Sequence, residues 1–336
     1  MRQISFIIPT YNSSLYIARC LDSIYSQYLS MDLFEVIVVD DGSTDNTRNI
    51  LIEYRNKYSN FMYYTQMNSG PGVARNLAIR QAHGEYIQFV DSDDYIHQYN
   101  FEKLISICKS YDLDILGVDS YIQAETGETS TYSLTNGYRE NKTDTLFCGR
   151  EYMIYNRFIA SPCCYVFKRQ FLIDYSLFYR KTKGCEDIDH TIITLFMARR
   201  IMYVNEIYYV CCVRSSSLSH LPTIAFELSL SKAILYSFHF LDKQNEYHSS
   251  INLQRILSDW LVYIFKIQYN HLYMLPLNKA FHILQETRGD IQKIVSYQKC
   301  SNKFLKQKML LIVRAKSTLA IFSYILLQKL YNRVIG

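Results

Sequence analysis

The sequence lacks three features that would each indicate a particular class of protein. Its nine cysteines include no C-x-x-C pair, which argues against a zinc site or a disulfide framework. No uncharged apolar run reaches the ~18 residues that a membrane-spanning helix needs. The opening segment MRQISFIIPTYN enters a strand pattern at once, so we expect no signal peptide. Together these absences favour a globular protein from a reducing compartment.

Acidic residues are also absent after Asp290, and this divides the charge of the chain unevenly. Nine basic residues follow Asp290, while 27 basic and 31 acidic residues make up the rest. Over residues 303–335 the bases alternate with apolar residues, a pattern typical of a helix that lies on an anionic membrane surface. The alternative is a helix packed on the protein with its bases facing water. No recognised nucleic-acid motif accompanies the charge, so we expect no nucleic-acid partner.

Short apolar runs alternate with helically spaced segments over the first 118 residues. The predicted strands are 4–9, 34–39, 61–66, 85–90 and 114–118, and the predicted helices are 13–27, 44–58, 71–82 and 99–109. This order predicts an α/β fold with a mainly parallel, doubly wound central sheet flanked by helices. We expect loops or irregular strands over 119–150, mixed structure over 151–220 and helices from about Ile224 onward. The predicted domains are therefore residues 1–223 and 224–336.

Polar or turn residues follow four of the predicted strands, where ligands collect in sheets of this kind. The segments are PTYN, DDGS, NSGPG and DSDD, beginning at Pro9, Asp40, Asn68 and Asp91. The carboxylates of the DSDD segment repel one another unless a cation shares their site. Mg²⁺ or Mn²⁺ would suit, because these ions bind one or two carboxylates together with substrate phosphates. Alternatively, Asp93 and Asp94 lie at the positive end of a helix that begins around His97.

Five segments, in order, resemble those of family 2 glycosyltransferases with the GT-A fold. They are SFIIPTYN, VIVVDDGSTDNT, NSGPGVARNLAI, GEYIQFVDSDD and GCEDIDH, within a resemblance over residues 1–220. The resemblance implies an inverting, metal-dependent enzyme with a helical C-terminal extension. Such an enzyme moves a sugar from a nucleotide-sugar donor to a hydroxyl of a glycan or lipid-linked acceptor. Capsule, exopolysaccharide or lipopolysaccharide synthesis is the implied context, with the protein in the cytoplasm, peripheral at the inner face of the membrane.

The resemblance also implies residues that bind the nucleotide. Pro9 and Tyr11 would line the nucleobase pocket, with Tyr11 packing on the ring. Asp41 would accept the uracil N–H, which favours UDP as the carrier. Asn68 would approach the nucleotide from the turn after the third strand.

Further residues are implied at the diphosphate and the sugar. Arg75 would pair with Asp91 or with phosphate, and Asp91 would contact the ribose or the sugar. Asp93 would bind the divalent metal, Mn²⁺ or Mg²⁺, through the diphosphate. Arg214, in the segment VRSSSLSH, would be a cation that closes over the diphosphate.

The general base is implied by the Glu-Asp pair of GCEDIDH. An inverting displacement removes the proton of the acceptor hydroxyl as that oxygen attacks, which calls for one carboxylate. The resemblance assigns this role to Asp187 and a contact with donor sugar or acceptor to Glu186. The alternative is that both acids only favour the start of a helix.

Two other functions remain open from the residues alone. A nucleotidyltransferase also needs acids, a metal and a nucleotide pocket, but it calls for a glycine-rich basic loop after the first strand, where Pro9-Thr10-Tyr11-Asn12 stands. A non-catalytic UDP-sugar-binding protein or membrane scaffold would bind nucleotide without turnover. In that case an Asp187→Asn change would affect no reaction.

Overall fold

The computed structural model describes residues 2–124, 126–132, 142–182, 184–213 and 223–296. The strands are β1 Ile4–Thr10, β2 Phe34–Asp40, β3 Phe61–Thr65, β4 Tyr86–Phe89, β5 Tyr95–Ile96, β6 Ile115–Gln123, β7 Thr129–Tyr132, β8 Tyr165–Lys168 and β9 Ile201–Cys212. The helices are α1 Ile17–Tyr25, α2 Thr47–Lys57, α3 Pro71–Gln81, α4 Phe101–Ser110, α5 Gly149–Tyr155, α6 Arg169–Asp174, α7 Glu186–Met197, α8 Ile224–Leu241, α9 Asn245–Ser249, α10 Ile251–Met274 and α11 Leu277–Ser296. These bounds agree with the predicted alternation of strands and helices over the first 118 residues.

The described strands form one sheet in the order β3-β2-β1-β4-β8-β6-β9-β5, with β7 beside β6. The pairs β1/β2, β2/β3, β1/β4 and β6/β9 are parallel. Every residue of β1 and β2 is buried, as expected for central strands covered on both faces. The predicted α/β fold is therefore confirmed, and the parallel strands β1 to β4 come from the alternating segments.

Antiparallel strands complete the sheet and were not predicted. The four-residue strand β8 lies between β4 and β6 and runs antiparallel to both. Strands β7 and β5 pair antiparallel with β6 and β9. The sheet is thus mixed, because short strands from the middle of the chain join an edge that the first four strands leave open.

The segment that follows Asp91–Asp94 does not form the helix from about His97 that was the alternative prediction. Tyr95 and Ile96 form β5, and α4 begins only at Phe101, where the Asn100 side chain accepts a hydrogen bond from the Lys103 N–H. The alternative prediction of a helix that begins around His97 is therefore wrong. The acids lead into a strand, so a helix N-terminus does not explain them.

The chain divides into two compact units. The first comprises Met1–Thr182 and His190–Ser215, and the second comprises Lys183–Asp189 and Ser216–Gly336. The predicted domain boundary coincides with the start of α8, where Thr223 caps the helix by accepting from the Phe226 N–H at 3.1 Å. That residues 1–223 and 224–336 fold as separate domains stays a prediction.

The second unit is helical as far as Ser296, in agreement with the sequence. Its apolar core includes Leu230, Ile234, Phe238, Leu257 and Ile283. Among the described helices, α8 has the length and mean hydropathy of a membrane span, but half of it is buried within the structure, as in an ordinary core helix. The basic segment 303–335 lies outside the described residues.

Candidate active site

The loop after β1 is hydrogen-bonded to the loop after β2. The Asn12 N–H donates to Ser43 Oγ at 2.9 Å, and Asn12 Oδ1 accepts from the Thr44 N–H at 2.8 Å. Asn12 has a φ of 49°, a left-handed conformation that asparagine tolerates better than most residues. These bonds set the position of Tyr11, which is 48% exposed, relative to the end of β2.

Asp41, at the end of β2, anchors the next loop. Its Oδ1 accepts from Gln66 Nε2 at 2.7 Å and from the Ser69 N–H at 2.8 Å, and its Oδ2 accepts from the Gly70 N–H at 2.8 Å. An ionised carboxylate accepts at about four lone-pair sites, so these three donors from the described residues leave one site at Oδ2. Asp41 is therefore a buried structural anchor for the loop that leads into α3.

Helix α3 carries Arg75 to the acidic loop. The Arg75 Nη2 donates to Asp91 Oδ1 at 2.8 Å, and the arginine side chain is almost fully buried. The guanidinium also lies over an aromatic ring, with its Cζ 5.3 Å from the centroid of Tyr179. Of the two partners that the resemblance implied for Arg75, Asp91 or phosphate, the structure shows the ion pair with Asp91.

The Tyr179 ring that contacts Arg75 also contacts a histidine. It stacks on the His190 ring with centroids 3.7 Å apart, and His190 Nε2 lies 3.2 Å from the Leu177 carbonyl oxygen. Burial lowers the pKa of His190 to about 3, so the imidazole is neutral at physiological pH. A neutral ring adds no positive charge beside Arg75.

The acidic loop, residues Asp91–Asp94, places its carboxylates in different surroundings. Asp94 is buried and accepts from the Tyr209 hydroxyl at 2.5 Å and from the Cys212 N–H at 2.7 Å. Burial, followed by the charge of Asp91, raises the pKa of Asp94 well above its ordinary value. Asp91 and Asp93 are only partly buried, so these two acids of the loop retain solvent-exposed surface.

Three contacts to this loop come from residues that the sequence did not single out. Ser13 Oγ and Ser92 Oγ lie 2.8 Å apart, and Arg19 Nη2 donates to the Asp93 carbonyl oxygen at 2.5 Å. Tyr209 lies more than a hundred residues away in sequence, on β9. No local pattern marks these partners, because they meet the loop only through the tertiary fold.

The loop fits a divalent metal that draws its remaining ligands from a substrate. Among the residues that the structure describes, no group of three or more His, Cys, Asp and Glu side chains could hold a metal by itself. Mg²⁺ and Mn²⁺ commonly take one or two carboxylates and complete their shell with phosphate and water. Asp91 and Asp93 are partly exposed and could supply these carboxylates, whereas Asp94 is buried.

The remaining predicted residues lie in several places. Pro9 is buried in β1 opposite Val39, and Asn68 is exposed in the loop after β3. Glu186 and Asp187 form the first turn of α7, within the second unit, where Glu186 is buried and Asp187 half-buried. Arg214 lies outside the described residues.

Comparison with known protein families gives a match over residues 5–175, to the model described as glycosyl transferase family 2. One relative is the poly(ribitol-phosphate) beta-N-acetylglucosaminyltransferase TarS of Staphylococcus aureus, 44% identical over 117 residues, or 34% of this chain and 20% of that protein. A poly(ribitol-phosphate) beta-glucosyltransferase of Bacillus spizizenii is 48% identical over 109 residues, or 30% of this chain and 17% of that protein. The chain thus spans about a fifth of the length of these relatives.

A solved structure agrees with the fold over nearly the whole chain. The crystal structure of S. aureus TarS 1–349 in complex with UDP has a TM-score of 0.73 and 25% identity, and it covers 95% of this chain and 89% of that one. The GT-A expectation, with a helical C-terminal part, is thereby confirmed. The family match covers half of the sequence, and the chain therefore belongs to glycosyl transferase family 2.

Proposed function

We propose that this protein is a metal-dependent, inverting glycosyltransferase that uses a UDP-sugar donor. The observation that carries the proposal is a set of contacts that links polar groups at the ends of three strands. Asp41 anchors the start of α3, and α3 carries Arg75 to Asp91. A nucleotide-sugar presents a base with an N–H donor at one end and a diphosphate at the other, which matches the acceptor of Asp41 and the cation of Arg75.

UDP is favoured as the carrier by two observations. Asp41 Oδ2 can still accept one hydrogen bond, as the uracil N–H requires. The TarS structure, 25% identical, was solved with UDP. We assign Pro9, Tyr11 and Asn68 to the nucleoside end of the donor.

The acceptor proposed is a hydroxyl of a glycan or of a lipid-linked polymer destined for the cell surface. Relatives include the two poly(ribitol-phosphate) transferases and the minor teichoic acid biosynthesis protein GgaB of Bacillus subtilis, 29% identical over 222 residues. Their names concern those proteins, and they favour a surface polymer as the class of acceptor here. We also propose that the protein acts in the cytoplasm, with its basic tail on the inner face of the membrane.

The reaction would be a single displacement at the anomeric carbon. The acceptor oxygen forms the new bond to that carbon as the bond to the diphosphate oxygen breaks, and Asp187 takes the proton of the acceptor hydroxyl. Asp91 would orient the ribose or the sugar, and Glu186 the sugar or the acceptor. Asp93, with Asp91, would hold a Mn²⁺ or Mg²⁺ ion, which neutralises charge on the leaving diphosphate.

Calorimetric titration of the full chain with UDP, GDP and CDP tests the donor, each with Mn²⁺ and with a chelator. We expect UDP to bind most tightly and to lose affinity when the metal is removed. Preference for another base would overturn the role given to Asp41. Absence of binding by the folded protein would overturn the donor proposal and favour a scaffold.

The metal assignment is tested by Asp93→Ala in the same titration. We expect the variant to bind UDP with metal no better than the unaltered protein does with chelator, at an unchanged melting temperature. Asp32→Ala is the control, because this exposed acid precedes β2, at the end opposite to Asp41. Unchanged metal-dependent affinity in Asp93→Ala would exclude Asp93 as the ligand.

A further inference from the structure

A tyrosine of β9 connects the two ends of the acidic loop. The Tyr209 hydroxyl accepts from the Asp91 N–H at 3.2 Å and donates to Asp94 Oδ2 at 2.5 Å. The Asp94 N–H in turn donates to the Asp91 carbonyl oxygen at 3.0 Å, which closes the loop on itself. One hydroxyl therefore bonds to both the first and the last residue of the loop.

The same strand makes a second bond to the loop. The Cys212 N–H donates to Asp94 Oδ1 at 2.7 Å, so each oxygen of this carboxylate receives a donor from β9. Tyr209 is 1% exposed and Asp94 is 4% exposed. Hydrogen bonds in a buried, low-dielectric setting are electrostatically stronger than those exposed to water, so these contacts resist rearrangement of the loop.

We propose that Tyr209 is a positioning residue, which holds the Asp91–Asp94 loop in the shape that binds the metal–diphosphate, with Asp94 as its buried anchor. The inference rests on the proposed function, because it concerns how Asp91 and Asp93 are presented to the donor. Asp94 then acts through the loop and is not a metal ligand. Strand β9 lies beyond residues 5–175, so the family match does not cover this part of the site.

The adjacent tyrosine provides a matched control. Tyr208 is also fully buried on β9, and its hydroxyl donates at 2.6 Å to Gln88 Oε1 on β4, a neutral acceptor outside the acidic loop. Tyr208→Phe and Tyr209→Phe each remove one buried hydroxyl and keep the ring. An effect seen in both variants reflects the loss of a buried hydrogen bond. An effect seen only in Tyr209→Phe reflects the loss of the contacts to the Asp91–Asp94 loop.

The experiment compares both variants with the unaltered chain by UDP calorimetry, with Mn²⁺ and with chelator, and by amide hydrogen exchange. For Tyr209→Phe we expect metal-dependent UDP affinity to fall by about tenfold or more, since the buried Asp94 carboxyl loses a hydrogen-bond partner, with metal-free affinity unchanged. We also expect faster exchange in peptides covering residues 91–94. Tyr208→Phe should leave both quantities unchanged, although its melting temperature falls.

The outcomes separate this inference from the proposed function. Equal exchange rates over residues 91–94 in the two variants would overturn the positioning role, and so would an unchanged metal-dependent affinity in Tyr209→Phe. If the unaltered protein shows no metal-dependent UDP binding, the proposed function fails and so does the link between Tyr209 and the metal–diphosphate. Faster exchange in Tyr209→Phe alone would then show only that the tyrosine orders the loop.

Discussion

Asp41, Asp91 and Asp94 each follow a buried strand, yet their oxygens meet different donors. Asp41 accepts three hydrogen bonds from the chain, and Asp94 accepts from Tyr209 and Cys212. Asp91 pairs with Arg75 and keeps more than a third of its side chain exposed. Repulsion within the acidic loop is therefore reduced by a cation and by buried donors before any metal binds.

At the scale of single residues, the assignment of Asp187 as general base is tested by Asp187→Asn. The amide keeps the shape of the side chain but cannot take a proton, so we expect the rate of sugar transfer to fall by roughly 10²–10⁴. UDP affinity should remain, since the base acts on the acceptor. The measurement is initial-rate release of UDP from the UDP-sugar that a donor screen selects.

The same substitution at Asp189 is the control for Asp187→Asn. Asp189 lies in the same first turn of α7, so this change also removes one negative charge from the helix start. We expect Asp189→Asn to retain transfer at the same enzyme concentration. A transfer rate in Asp187→Asn equal to that of the unaltered enzyme would contradict the assignment.

At the scale of elements, the start of α3 depends on a glycine. Gly70 precedes the helix with a φ of 93°, and a Cβ placed there would lie 2.8 Å from the Thr182 carbonyl oxygen. The Gly70 N–H also donates to Asp41, and Pro71 then begins the helix with a φ suited to its first turn. The geometry of this junction sets where Arg75 meets Asp91.

We therefore expect Gly70→Ala to destabilise the protein and weaken UDP binding. Gly127→Ala is the matched control, because Gly127 has a similar φ of 83° but no atom within 4 Å of the added Cβ. The control should lose about 1 kcal/mol from backbone strain alone. Chemical denaturation and UDP calorimetry should show a larger loss for Gly70→Ala, whereas equal losses would show that the close approach to Thr182 does not matter.

At the scale of the whole molecule, charge separates along the chain, with no acid after Asp290. If the tail binds an anionic membrane, the full chain should sediment with phosphatidylglycerol vesicles at low salt. Binding should weaken as salt rises, because screening reduces the attraction. The double change Lys306→Gln and Lys308→Gln should reduce the bound fraction.

The control for the tail is the double change Arg55→Gln and Lys57→Gln, which removes two exposed charges from the last turn of α2. We expect this variant to bind the vesicles as the unaltered chain does. An equal loss of vesicle binding in the two double variants would show that binding depends on the net charge of the protein and not on the tail. No vesicle binding by the unaltered chain would contradict the peripheral membrane role.

The sequence by itself determined the first strands, their helices and the residues at their ends. Continuous apolar runs and helical spacing are local properties, so β1, β2 and α3 could be predicted within a few residues of their observed bounds. The strand ends follow from these bounds, because parallel strands bring their C-terminal ends to one edge. The order of the sequence motifs also indicated the protein family, and the match to the family model then confirmed it.

Only the tertiary structure decided which polar side chains are buried and what they bind. Glu35, inside the apolar run of β2, is buried and accepts hydrogen bonds from Ser5 Oγ at 2.5 Å and from the Gly84 N–H at 3.0 Å. Tyr209 reaches Asp94 across 115 positions of sequence. Sequence periodicity describes neighbours a few residues apart, whereas these partners are brought together by sheet order, which sets contacts between distant segments.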